Sequence, residues 1–151
     1  MKMFYAAIPI TLVLCLCLMV LSPKSENVAA DTEEDVATVI KALAIENLRA
    51  TEAEDIDAVL DTMHTQSPAY SNTEKLLISL SETYDLKYQM RLFRYIGQDG
   101  PYAIARLKFS TEKVAGPEFN NNILDTFHIF RKEDGKWKMW SMAILEINFV
   151  E

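Results

Sequence analysis

Two histidines, His64 and His128, are the side chains of this 151-residue chain that could exchange a proton near neutral pH. His128 sits inside LDTFHIFRK, a stretch with the alternation of a strand. Thr126 and Phe130 share its face, whereas Asp125 points to the other, so the nearby carboxylate makes no dyad with it. If the Thr126 face is concave, His128 projects into a pocket among aromatic walls and is the candidate general acid or base. The alternative is a hydrogen-bonded or surface histidine with no chemistry. Tyr88, Thr126, His128 and Phe130 are the candidate pocket residues. His64 falls at the expected end of a helix, where a cation suits the helix dipole. Two histidines without an H-x-x-x-H spacing do not make a zinc site, so no metal is expected. No cofactor is expected either, since the chain has no glycine-rich phosphate loop, and no G-x-S-x-G elbow supplies a nucleophile.

Charge and cysteine usage narrow the setting. Lys and Arg total 15 against 22 for Asp and Glu, a net charge of −7, so a nucleic-acid groove is excluded. Half of the residues are hydrophobic, which excludes a disordered chain. Lys2 precedes an uncharged run from Phe4 to Pro23, and Val28-Ala29-Ala30 offers small residues for cleavage. Residues 1–30 therefore read as a signal peptide and 31–151 as a single domain, exported to the periplasm or the exterior. The alternative is an uncleaved membrane anchor over residues 4–23. A lipoprotein signal is disfavoured, because Leu14 and Leu16 precede Cys15 and Cys17. Both cysteines lie in the leader, so the domain itself has no disulfide, thiolate nucleophile or cysteine-bound metal.

Helical periodicity comes first in the domain. Thr32-Glu33-Glu34-Asp35 reads as a capping box ahead of Val36, Val39, Ile40 and Leu43, a helix running to about Ala50. Thr51 to Glu54 reads as a second box before Ile56, Val59, Leu60 and Met63. Ser71 to Glu74 reads as a third, before Leu76, Leu77, Leu80 and Tyr84. After Asp85 the period becomes two. Leu86, Tyr88, Met90 and Leu92 alternate with polar residues, and Ala103, Ala105, Leu107 and Phe109 do so in a second strand. Asp99-Gly100 and Asp134-Gly135 mark tight turns, with further strands over 123–132 and 137–149. The class is α+β: three N-terminal helices cover one face of a strongly curved, antiparallel four-stranded meander.

This arrangement resembles the nuclear transport factor 2-like superfamily, which includes SnoaL-like and ketosteroid-isomerase-like domains. The resemblance rests on the first helix with its Ala44-to-Arg49 segment, on the second helix AEDIDAVLDTMH, and on the turn from Arg131 to Met139. It implies a cystatin-like cone, a curled sheet around the first helix with a pocket at the open end. Members use that pocket for isomerisation, dehydration, hydrolysis, ligand binding or protein contact, so fold alone does not assign an activity. Catalytic members set Asp, His, Tyr or Arg on the inner wall, in patterns that this sequence does not match.

Trp137 and Trp140, three apart on one strand, should face opposite sides, so one leaves the helix-covered core. Lys87, Arg91, Arg106 and Lys108 are expected to form a basic stripe on the outer face. The expectation is an exported, non-catalytic domain that binds a small apolar ligand or a partner protein. It would form a homodimer through the outer sheet face, with no nucleic-acid partner and no membrane contact beyond the leader. The alternative is an isomerase, dehydratase or hydrolase acting on a small organic molecule in the pocket.

Overall fold

The computed structural model describes residues 32–150; the leader expected over residues 1–30 lies outside them. Helices α1 (Glu33–Glu52), α2 (Ile56–Thr62) and α3 (Tyr70–Ser81) precede strands β1 (Asp85–Asp99), β2 (Tyr102–Ala115), β3 (Asn122–Glu133) and β4 (Lys136–Phe149). The strands pair in sequence order, β1-β2-β3-β4, every pair antiparallel. This is the α+β meander expected, curled and not closed. Among the described residues no helix is long and apolar enough to cross a membrane.

The capping box of α1 forms as read. The Thr32 hydroxyl accepts from the Asp35 amide and the Asp35 carboxylate accepts from the Thr32 amide, which satisfies two orphan donors. The other two boxes do not form. Thr51 is still inside α1, its hydroxyl donating to the Asn47 carbonyl at 2.8 Å. Asp55 caps α2 instead, its carboxylate accepting from the Ala58 amide. Helix α3 begins at Tyr70, without a side-chain cap and without an acidic first turn. Its expected stripe is only half-buried: Leu77, Leu80 and Tyr84 turn inward, whereas Leu76 is 58% exposed.

Bulges explain both the curl and one error of facing. Arg91 has no partner on β2, because Met90 pairs with Phe109 and Leu92 with Lys108. An extra residue reverses the alternation. Leu92 therefore leaves the face it was expected to share with Met90, and Phe93 and Tyr95 pack on the core in its place. On β4, Trp140 and Leu145 are likewise unpaired extras opposite β3. Asp134 and Gly135 both take positive φ in the β3–β4 turn, as a two-residue hairpin requires.

Val36, Ile40 and Ala44 of α1 pack on Ala103, Ala105, Leu107 and Phe130. Small alanines at two successive inward positions of β2 let the helix lie close to the sheet. On the outer face Arg106 holds Asp125 through two bonds of 2.8 and 2.5 Å, and Lys108 adds a third contact at 2.9 Å. Arg91 bonds Ser110 and Glu112. Three of the four cations of the expected basic stripe are thus engaged within the sheet.

One edge of the sheet is half covered. Met63 bridges Met139, the His64 amide donates to the Met139 carbonyl at 2.9 Å, and the Ser67 hydroxyl donates to the Trp140 carbonyl at 2.6 Å. These contacts end at Trp140.

Candidate functional site

Where α1, α3 and β4 meet, a cavity of about 230 Å³ opens beside His128. Helix α1 contributes Asn47 and Thr51, successive turns of its inward face. Thr73 and Leu77 come from α3, and Trp140, Ser141 and Met142 from the first bulge of β4. The wall is apolar for the most part, with a few polar groups, as small-molecule sites are.

His128 reaches this wall because β2 and β3 keep a regular register, with Ala105 opposite His128 and Leu107 opposite Thr126. The Thr126 face is therefore the covered, concave one. The imidazole is 7% exposed and stacks on Phe130 with ring centroids 6.3 Å apart. Its Nε2 is buried without a hydrogen-bond partner. Burial pushes its pKa down from 6.5 to about 4, so the ring is neutral at physiological pH. Asp125, on the opposite face, is committed to Arg106 and Lys108, and forms no dyad with His128.

The other candidate pocket residues part company. Phe130 is completely buried in the core, and Thr126 is also inaccessible, its hydroxyl donating to the Leu107 carbonyl at 3.2 Å. Tyr88 lines a neighbouring crevice of about 20 Å³ with Ala50, Leu80 and Tyr84, too small for more than a water. Burial raises its phenol pKa. Only His128 of the four lines the larger cavity. His64 directly follows Met63, the C-cap of α2, and so stands at the end of that helix as expected. It is 4% exposed, lies edge-on to Trp140 at 4.9 Å, and presents Nδ1 to the Gln66 amide and the Glu133 carboxylate.

Asn47 and Thr51 were missed in the sequence. Both continue the inward stripe of α1, spaced three and four residues beyond Ala44 and Asn47, so polar residues there were the available signal. The Asn47 amide donates to the Thr62 hydroxyl at 2.7 Å, and that hydroxyl donates to the Val59 carbonyl. This chain ties α1 to α2 beneath the cavity. Among the described residues no group of three His, Cys, Asp or Glu side chains converges as a metal site would require.

Over residues 42–150 the chain matches the family of the anti-sigma-I factor RsgI9 C-terminal domain. It belongs to that family. Solved structures of nuclear transport factor 2-like and cystatin-like proteins share its fold. A candidate aromatic ring hydroxylase from Novosphingobium aromaticivorans superposes with a TM-score of 0.61 at 18% identity, covering 76% of this chain and 92% of its own. A ketosteroid isomerase-like protein from Erwinia carotovora atroseptica gives 0.54 at 20% identity, covering 73% and 96%. A candidate scytalone dehydratase, again from Novosphingobium aromaticivorans, gives 0.62 at 11% identity, covering 79% and 91%. Such identities carry the fold and no activity. No curated protein matches the chain.

Proposed function

We propose that this chain is an exported, non-catalytic binding domain whose cavity takes a small, largely apolar molecule bearing one polar group. The observation that carries this reading is His128: one buried, neutral imidazole with an unpartnered Nε2, set in a mostly apolar wall. An unpartnered buried nitrogen is costly, and a ligand's hydroxyl or carbonyl would satisfy it. Acid–base turnover calls for two convergent titratable groups. Among the described residues lining the cavity, His128 is the one that titrates. The family takes its name from a domain of an anti-sigma factor, which suits binding better than turnover.

Phenol is the test ligand. An apolar cavity of about 150 Å³ holds benzene, so one ring with one hydroxyl suits a cavity of about 230 Å³. Titration of the domain with phenol should perturb the amide resonances of Asn47, Thr51, Ser141 and Met142. Toluene, which lacks the hydroxyl, should bind about tenfold more weakly, as for loss of one hydrogen bond. In His128→Leu that preference for phenol should vanish. Phenol binding that is unchanged in His128→Leu, or no binding at millimolar phenol, counts against the reading.

Export carries its own expectation. N-terminal sequencing of the secreted protein should begin at Asp31, after the Val28-Ala29-Ala30 motif. Full-length protein recovered from membranes alone would favour the anchor over residues 4–23.

A further inference from the structure

We propose that two copies of the chain join through the free half of β4, residues 141–149, pairing edge to edge about a two-fold axis between Leu145 and Glu146. The first observation is the edge itself. β4 is the last strand of an open sheet, and the segment from Met63 to Ser67 covers it only as far as Trp140. Beyond that point a long strand offers unpaired amides and carbonyls, a template for another strand.

The second observation is what this half-strand displays. Partners in an antiparallel pair share a face, and Met142 pairs with His128, Ile144 with Thr126, and Ile147 with Leu124. These three side chains therefore lie on the concave face, yet Met142, Ile144 and Ile147 are each close to half exposed, and Phe149 is 69% exposed. Among the described residues no helix covers this end of the sheet. Glu146 is the one charged residue between Met139 and Val150, so nothing repels a second copy along the edge.

The third observation selects a second copy over any other strand. The bulge at Leu145 shifts the alternation, so Met142, Ile144, Ile147 and Phe149 face inward, while Ala143, Glu146 and Asn148 face outward. An antiparallel copy centred between Leu145 and Glu146 sets Ile144 opposite Ile147, Met142 opposite Phe149, and Ala143 opposite Asn148. Every inward residue then meets an inward one, and every outward residue an outward one. Each Glu146 meets Leu145 of the other copy instead of its own duplicate. A register one residue away sets inward residues against outward ones along the whole edge. The pairing is isologous and closed, joining two four-stranded sheets into one. Because Met142 lines the cavity, Phe149 of the second copy would stand at its rim.

Every described helix and strand, and the whole core, belongs to one compact unit of residues 31–151, so this piece is used for the test. It contains no cysteine, since Cys15 and Cys17 lie outside it. In light scattering at micromolar concentration it should have twice the monomer mass. Ile147→Lys should make it monomeric, whereas Ile104→Lys, on the outer sheet face, should leave the dimer intact. The double variant Ile144→Cys/Ile147→Cys should give a disulfide-linked dimer on a non-reducing gel, because opposite residues lie about 4.5–5.5 Å apart. Each single cysteine variant should stay unlinked, its duplicate being roughly three residues further along the strand, beyond disulfide reach. A monomeric wild type overturns the proposal. So do a dimer broken by Ile104→Lys and not by Ile147→Lys, and single cysteines that link as well as the pair.

Discussion

Phe130→Ala is expected to destabilise the domain by about 3–5 kcal/mol, the range for deleting a fully buried aromatic ring. Phe130 is the largest completely buried side chain, at 0% exposure, in the middle of the cluster formed by α1 and the sheet. Its partner across β2 is Ala103, too small to move into the void. The lost transfer energy and the cavity therefore add. Against a total stability of about 5–15 kcal/mol, much of the margin goes, and the melting temperature should drop on the order of 15 °C. Urea titration at neutral pH checks this, with Leu76→Ala as the control on the exposed face of α3. The control should change stability by less than about 0.5 kcal/mol. A loss below about 1 kcal/mol for Phe130→Ala would mean that its ring borders an open pocket, where truncation leaves no sealed void.

Phe130 also shows how far the sequence can be read. Period-two alternation placed Thr126, His128 and Phe130 on one face, and that face is the covered one. Alternation does not tell which positions along a strand lie under the helix and which lie beyond its end. That depends on where α1 crosses the sheet, and hence on Ala103 and Ala105. So Phe130 and Thr126 became core while His128, on the same strand face, lines the cavity. The rest of the cavity comes from α1, α3 and the Trp140 bulge, which sequence spacing does not bring together. Bulges were the other blind spot: Arg91 carries no mark of an extra residue, yet it turns Leu92 outward. Capping boxes proved weak for a similar reason. Thr51 and Ser71 have the right spacing, but a threonine inside a continuing helix bonds back to the carbonyl four residues earlier, and α3 had already begun at Tyr70. The helix-then-strand order and the hairpin turns were legible because local chemistry alone decides them.

Acidification should weaken the domain through His128 from a higher pH than that at which Asp125 and Glu133 lose their contributions. Burial holds the folded pKa at about 4, against 6.5 for an ordinary histidine. Between those values the unfolded chain binds a proton that the folded chain refuses. Stability is therefore fully present above pH 6.5, falls as the pH drops towards 4, and levels off below the folded pKa. The whole loss is on the order of 3 kcal/mol, from 1.36 kcal/mol per pKa unit. Asp125 acts in a lower window. The Arg106 hydrogen bond, aided by Lys108, holds its carboxyl well below the usual 3.8, so its contribution is lost only on going below that value. Glu133, held low chiefly by the Thr65 hydroxyl, likewise gives way only below 4.5. Urea midpoints for the wild type and His128→Leu, measured from pH 6.5 down to 4, separate these effects. The wild type should lose stability steadily across that range. His128→Leu should stay nearly flat until the carboxylates protonate, and should match or exceed the wild type at neutral pH, since leucine leaves no nitrogen unpaired. Parallel curves for the two proteins would mean that His128 meets water in the folded state. The unpartnered imidazole in the cavity wall would then be lost, and with it the main support for a ligand there.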